Sequence, residues 1–279
     1  MASSPPAPRV SIVTAVLNRR AFIADAIESV LGQTYPHIEH IIIDGGSTDG
    51  TLEVLRKYSR RLAHWGSTPD RGMYYAINRG LELMTGALWG CLNSDDYYAD
   101  PDAIGRVVDA YREFGPRAAI FFGDYAVATA SGLERKNLLP VDHQRLLAFR
   151  HGTLLPHPAT FLTREVARRL GGFDTRYRFC ADYDYLLRAT REFRTHYIAS
   201  CLTVMRRHAD SFSIAMPSAM RTERRRIVAE HESSLSLAGR ARLRIMRPAL
   251  LVKYGVKNLA TVRRRLAEAW AWKNPSTST

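Results

Sequence analysis

Asn93-Ser94-Asp95-Asp96 closes an apolar run, Ala87 to Leu92, with two adjacent carboxylates. Such a pair repels itself unless a cation or hydrogen-bond donors compensate. Hard oxygen ligands suit Mg2+ or Mn2+, which bind one or two carboxylates and complete their shell with substrate phosphates. A plainer reading stands beside that one: Asp96 or Asp100 caps a helix beginning near Pro101. Asp44, at the head of the Gly/Ser/Asp-rich segment Asp44 to Gly50, is either a site residue or a turn residue bonding its own backbone. Asp184 and Arg188 are spaced as a helix ion pair. Two nucleotide chemistries are excluded. Thr14-Ala15-Val16-Leu17-Asn18-Arg19-Arg20, after the first apolar run, lacks the glycines a dinucleotide pyrophosphate needs, and the chain has no P-loop.

These residues need a frame that collects strand ends. Arg9 to Leu17 is a short run rich in β-branched residues and reads as a buried strand. Ile23, Ala26, Ile27, Val30 and Leu31 then recur at helical spacing, before Pro36. The pattern repeats with a strand at Glu39 to Ile43 and a helix from Leu52 capped by Thr51 or Asp49. A third strand, Leu62 to Trp65, leads into a helix with Met73, Ala76, Ile77, Gly80 and Met84 on its inner face, and Ala87 to Leu92 is a fourth strand. Strands and helices alternating without two-residue hairpin signals predict an α/β fold, a mostly parallel sheet with helices on both faces. Ligands in such sheets bind beyond the carboxyl ends of the strands. Further on, Ala118 to Val127 reads as a strand, Asp142 to Phe149 as a helix, and Arg164 to Leu170 as a helix ended by Gly171-Gly172.

The 279 residues, 46% of them hydrophobic, suffice for a sizeable core and exclude collagen, a disulfide scaffold and a wholly disordered chain. Cys91, Cys180 and Cys201 share no C-x-x-C spacing, which points to a reducing compartment rather than a disulfide or cysteine-zinc site. The segment Met1 to Pro8 has no signal-peptide character, and no apolar run is long enough for a membrane span. The formal net charge is +13, and Pro217 to Thr279 carries fourteen Lys/Arg against four Glu, most of that excess. Leu259, Val262, Leu266, Ala269 and Trp270 follow helical spacing there, with Arg263, Arg264, Arg265 and Lys273 elsewhere around the wheel. Two readings stand: an interfacial helix on an anionic membrane, helped by Trp270 and Trp272, or a helix packed on the core with a solvated basic face. Nucleic acid is not the expected partner, since no reader fold is recognised.

Four blocks in order carry a resemblance over residues 9 to 213: VSIVTAVLNRR, IEHIIIDGGSTDGTLEVL, PDRGMYYAINRGLELMTGALWGCLNSDD and HPATFLTREVARRLGGFDTRYRFCADYDYLLR. Together they resemble the family 2 glycosyltransferases of GT-A fold. The resemblance implies Thr14, Val16, Asn18 and Asp44 around the base and ribose of a nucleoside-diphosphate sugar, with Asp70 and Arg71 beside them. In the stretch Asn93 to Asp96, whose Asn93 joins the donor site, it makes Asp96 the direct ligand of Mn2+ or Mg2+ and Asp95 a contact to the ribose or a metal-bound water. It makes Asp182 the catalytic base and His208 a further metal or diphosphate ligand, against the plainer reading of a surface or core histidine. Arg188 faces a phosphate or pairs with Asp184. Cys180, beside Asp182, reads as inert packing.

The chemistry implied is transfer with inversion: a base takes the acceptor hydroxyl proton and a cation holds the charge growing on the departing diphosphate. The expected division is a disordered tail at 1–8, a catalytic domain at 9–216 with a nucleotide-sugar half at 9–100 and an acceptor half at 101–216, and a basic amphipathic helical region at 217–279. Gly45 stands where many members carry an aspartate, and Ala15 and Leu17 where many carry Pro and Tyr. The Q-x-x-R-W element of processive members is missing, which points to addition of one sugar per encounter. The acceptor expected is a glycan or lipid-linked hydroxyl, in cell-surface polysaccharide or glycolipid synthesis, at the cytoplasmic face of the membrane. A sugar-nucleotide pyrophosphorylase would begin with a glycine-rich basic loop that this chain lacks. A binding module with a degenerate site would not need Asp95, Asp96 and Asp182 together.

Overall fold

The computed structural model describes residues 7–115, 119–148, 154–208, 211 and 217–255. Its first half alternates strand and helix: β1 (Val10–Val16), α1 (Ile23–Leu31), β2 (Ile38–Asp44), α2 (Thr51–Tyr58), β3 (His64–Ser67), α3 (Met73–Leu83) and β4 (Leu88–Cys91). The second half is irregular: β5 (Tyr97–Tyr98), α4 (Ala103–Phe114), β6 (Ala119–Thr129), β7 (Gly132–Lys136), α5 (His143–Ala148), β8 (Thr160–Thr163), α6 (Arg164–Leu170), α7 (Ala181–Glu192) and β9 (Arg194–Arg206). Two helices follow, α8 (Pro217–Ser233) and α9 (Leu237–Gly255).

All the strands share one sheet, ordered β3-β2-β1-β4-β8-β6-β9-β5, with β7 on the side of β6. The β3-β2-β1-β4 section is parallel throughout, as the alternating pattern predicts, and β6 and β9 form a second long parallel pair. β8 runs antiparallel between β4 and β6 and joins the two sections. Alternation along β1 sends Val10, Ile12 and Val16 into an apolar layer with α1 and α4, and Val13 into the opposite layer with α3 and α7. Helices therefore cover both faces. Gly80 lets α3 lie directly on β1, since a Cβ there would stand 2.3 Å from Val13 Cγ1.

One buried carboxylate inside this frame is fully paired. Glu39, at the sheet end away from the strand carboxyl termini, accepts from Ser11 Oγ, from Thr85 N and Oγ1, and from Gly86 N. Burial alone would raise its carboxyl, but these bonds outweigh burial and hold it below the usual range.

Several local expectations shift. The third strand lies two residues downstream of Leu62 to Trp65, because Leu62 anchors the preceding turn in the α1–α4 layer. Asp49 caps α2 across Gly50, which sits at φ 92°, by accepting from Thr51 N at 2.9 Å. Asp96 does not cap a helix. The helix after it starts at Ala103, where Gln33 Oε1 of the α1 end takes the Ile104 N–H at 2.9 Å, and Asp100 accepts from Asp102 N. β5, β7, β8 and the extent of β9 had no local signal strong enough to mark them out. The stripe from Leu259 to Trp270, with Trp272 and its basic neighbours, lies outside the described residues.

Candidate active site

Register brings the chemistry to one edge. Val16 pairs with Asp44, so β1 and β2 end level, while β4 ends at Cys91 opposite Val13, three residues short, and the Asn93–Asp96 loop follows from there. Beyond β4, Asp96 turns inward until only 3% of it is exposed. Its Oδ2 accepts from Asn93 Nδ2 at 2.8 Å and its Oδ1 from the backbone N–H of Arg206 at 2.9 Å, which ties the end of β9 to the Asn93–Asp96 loop. Burial first, then the charge of Asp95, pushes the Asp96 carboxyl up to about 7; Asn93 and Arg206 pull the other way. Asp95 Oδ2 shares a 2.8 Å hydrogen bond with His208 Nε2, and the imidazole stacks on Phe22 with ring centroids 4.7 Å apart. His208 Nδ1 is buried with no hydrogen-bond partner among the described residues. Arg206 pairs with Asp25 at 2.6 Å and lies over the rings of Phe22 and Tyr97.

Two crowded carboxylates, one of them buried, beside an imidazole with an unused nitrogen fit a hard divalent cation that keeps places for substrate oxygens. Among the described residues no group of three or more His, Cys, Asp or Glu forms a ready-made metal cage. One or two protein ligands is the usual number for Mg2+ in a phosphate site.

On the other side, Asn18 joins the β1–α1 and β2–α2 loops. It is exposed, at φ 52°, with its N–H donating to Ser47 Oγ and its Oδ1 accepting from Thr48 N, both at 2.8 Å. Arg19 N and Arg20 N extend the same seam to Thr51 Oγ1 and Asp49 Oδ2. Asp44 is wholly buried beneath it and accepts from Gly46 N, Ser47 N, Ser47 Oγ and Ser67 Oγ, so its side chain acts as the turn residue and does not reach solvent. Thr14 is equally sealed: its Oγ1 and His40 Nε2 share a 3.0 Å hydrogen bond inside the sheet. Val16 is buried beside them. The exposed rim is made instead by Asn18, Gly45, the half-buried Asp70 and the exposed Arg71. Asp70 Oδ2 would lie 2.9 Å from a Cβ at position 45, so this aspartate leans over the place where Gly45 leaves room.

Asp182 is half-buried in the first turn of α7, and Tyr74, at the start of α3, donates its phenol O–H to Asp182 Oδ1 at 2.9 Å. Burial and the Asp182 charge hold the Tyr74 phenol well above its ordinary value, so it remains a donor. Among the described residues no hydrogen-bond donor reaches Asp182 Oδ2. Burial, and after it the charge of Asp182, raises the thiol of Cys91 at the end of β4, the strand that carries the Asn93–Asp96 loop. Asp184 is not part of this group. It is buried, with Arg188 Nε at 2.8 Å and His231 Nε2 at 3.0 Å, and Arg188 spends its other donors on Leu170 O and Gly172 O. Of the two readings for Arg188, the ion pair is the one observed. Burial pushes the Cys180 thiol up to about 12, as an inert packing residue requires. Tyr74, Phe22 and Arg206 were not singled out from the sequence, because their partners lie far away along the chain.

With this geometry in view, residues 11–212 match the family described as Glycosyl transferase family 2. The chain belongs to that family. It is a glycosyltransferase with the GT-A fold that the sequence resemblance implied. An uncharacterized glycosyltransferase of Mycobacterium tuberculosis is 32% identical over 66% of this chain and 69% of its own length. A PGL/p-HBAD biosynthesis glycosyltransferase of Mycobacterium bovis is 31% identical over 65% of this chain and 70% of its own. Among solved structures, S. aureus TarS 1-349 in complex with UDP-GlcNAc superposes with a TM-score of 0.70 at 16% identity, over 95% of this chain and 79% of that one. The glycosyltransferase spans 44% of the longer TarS chain. The mannosyltransferase PcManGT from Pyrobaculum calidifontis, in complex with GDP-Man and Mn2+, superposes with a TM-score of 0.58 at 20% identity, over 96% and 81% of the two chains.

Proposed function

We propose that this glycosyltransferase moves one sugar per encounter from a nucleoside-diphosphate donor to a hydroxyl of a glycan or lipid-linked acceptor, with inversion, using Mn2+ or Mg2+. The observation that carries the reading is buried Asp96 in the loop after β4, held by Asn93 and the Arg206 N–H, together with Asp182 in the first turn of α7, held by Tyr74. Donor complexes of two fold neighbours, one with UDP-GlcNAc and one with GDP-Man and Mn2+, support the donor class and the metal.

The chain's own residues divide the work. Asn18, Asp70 and Arg71 form the rim for base and ribose, while Thr14, Val16 and Asp44 hold that rim from beneath. Asp96 would hold the cation, with His208 as the second ligand and Asn93 and Asp95 orienting the pair. When bound, the cation supplies positive charge for the departing diphosphate. Asp182 takes the acceptor proton on Oδ2 while Tyr74 fixes Oδ1. One base fits inversion, since paired carboxylates flanking the sugar belong to hydrolysis. Asp182→Asn is expected to lower transfer by about 10²- to 10⁴-fold with donor affinity unchanged; near-normal transfer by the folded variant would remove the base assignment.

The acceptor reading places the enzyme in cell-surface polysaccharide or glycolipid synthesis at the cytoplasmic membrane face, in line with the mycobacterial relative named for PGL/p-HBAD biosynthesis. Among the described residues no helix is long and apolar enough to cross a membrane. α9 does expose Leu237 at 80% and Ile245 at 76%, with Arg242 and Arg244 exposed near them, a mixture that suits an anionic surface. Flotation with anionic liposomes tests this. The full chain should float at low salt and a chain ending at 236 should not; equal recovery of both below the gradient would exclude membrane attachment through this region.

A further inference from the structure

α8 comes from the basic C-terminal region, yet two of its glutamates, Glu223 and Glu230, face the loop that delivers Asp182. Glu223 Oε1 accepts from Arg178 N, and its Oε2 accepts from Phe179 N and Cys180 N, each at 2.6 Å. These are the amides immediately before α7, whose N-cap residue, Cys180, makes no side-chain cap of its own. A carboxylate from 43 to 45 residues downstream therefore caps the turn that enters α7, taking the N-cap amide and the two before it rather than the first-turn amides of the helix. The Phe179 carbonyl lies 3.2 Å from the Tyr74 hydroxyl, whose one proton has its shorter contact, 2.9 Å, with Asp182. Three further contacts run along the same seam: Tyr177 OH donates to Glu230 at 2.5 Å, Cys180 Sγ meets Met220 O at 3.5 Å, and His231 reaches Asp184. Ile227 and Val228 are fully buried in the apolar layer that contains Tyr183 and Leu187 of α7.

From this we infer that Glu223 is a positioning residue for Asp182, and that the functional unit extends through α8 to Ser233 rather than ending at 216. Asp182 sits two residues beyond the last amide that Glu223 holds, so the direction of its carboxylate follows from how that loop is pinned. Charge-assisted bonds to backbone amides are short and directional, and a rotation of the loop would move Asp182 away from both Tyr74 and the acceptor hydroxyl.

The inference rests on the reading of Asp182 as the base, and its test separates the two. Full-length wild type, Glu223→Gln, Glu223→Asp and Asp182→Asn are compared for release of nucleoside diphosphate from UDP-GlcNAc and GDP-mannose, with Mn2+ and octyl glycosides as acceptor probes. Donor affinity is measured by calorimetry. Glu223→Gln is expected to lower kcat about 10- to 100-fold well below its melting temperature, as loss of a charge-assisted hydrogen bond would, with donor Kd within about twofold of wild type. Glu223→Asp should recover part of kcat. A purely structural role would lower the melting temperature and leave kcat of the folded variant intact; that result, with Asp182→Asn inactive, overturns the inference alone. An active Asp182→Asn overturns the reading of the base. Hydrogen exchange decides the geometry without turnover or a stable variant: the amides of Arg178, Phe179 and Cys180 should exchange slowly in wild type. Exchange as fast as an open loop would refute the cap.

Discussion

At the scale of single residues, the site sorts into groups that touch substrate and groups that hold those groups. On the proposed reading Asp182 and Asp96 are the two that change partners in the reaction; Tyr74 O–H donates to the first, and Asn93 Nδ2 and the Arg206 N–H donate to the second. Tyr74→Phe keeps the ring stack with Phe173 and removes only the hydroxyl. It is expected to reduce kcat by about tenfold, the worth of a hydrogen bond to a charged group, with little change in donor affinity or melting temperature. Steady-state kinetics and donor titration on the variant check this, and an unchanged kcat would mean that Asp182 keeps its orientation without the phenol. Much of this scale was legible beforehand. Asp96 and Asp182 announced themselves through motif position, and Asp184 with Arg188 through helix spacing. Thr14 and Asp44 had motif position as well, yet their side chains point into the sheet, because alternation along a strand decides the face and a motif does not. Tyr74 meets Asp182 across 108 positions of chain, and no local pattern encodes such a meeting.

At the scale of elements, β1, β2 and β4 were readable because parallel strands buried on both faces appear as apolar runs that stop at polar residues, whereas the partly exposed edge strand β3 was placed two residues off. The apolar runs of β1 and β4 stop in that way at Asn18 and Asn93, two residues past the strand ends. The β6–β9 half was harder: β8 is four residues long, and β9 is half-buried along most of its length with a bulge opposite Gly123 and Asp124. Its register cannot be read from alternation once a bulge shifts it. The β1–β2 pair carries a testable consequence of its own. His40 is buried against Thr14, and burial lowers its imidazole from the ordinary 6.5 to about 3. A histidine whose folded value lies below its unfolded value contributes stability that is complete above about pH 6.5 and is lost as the pH falls towards 3. His40→Gln should therefore differ from wild type in its pH dependence by about 1.4 kcal/mol per pH unit across that window. The raised carboxyl of Asp96 acts in the opposite sense and is common to both proteins, so the difference isolates His40. Denaturant unfolding at several pH values measures it, and parallel stability curves for the two proteins would show that His40 is not held neutral.

At the scale of the whole molecule, on the proposed reading the parallel β3-β2-β1-β4 section is the donor edge, the mixed β8-β6-β9 section brings Arg206 to the Asn93–Asp96 loop, and α7, braced by α8, carries Asp182. For the basic stripe at 259–270 the sequence left two readings, a helix on an anionic membrane or one packed on the core, and gave no sign that α8, upstream of it, grips α7 and its entering loop through Glu223, Glu230 and His231. The few acidic and neutral residues among many arginines make those contacts, which is why a count of charge did not reveal them. Selectivity for sugar and nucleobase resides in a handful of rim contacts and does not follow from the fold. The central claim, a metal-assisted nucleoside-diphosphate site at the strand ends, is open to one direct measurement: thermal denaturation of the full chain with UDP, GDP, dTDP or CMP, each with and without Mn2+. A ligand at about 100 times its dissociation constant adds roughly 2.7 kcal/mol to folding stability, a melting shift on the order of 5 °C for a chain of this size. The account expects such a shift with one nucleoside diphosphate, dependent on Mn2+ and abolished in Asp96→Asn; no shift with any of the four nucleotides in folded protein would contradict it.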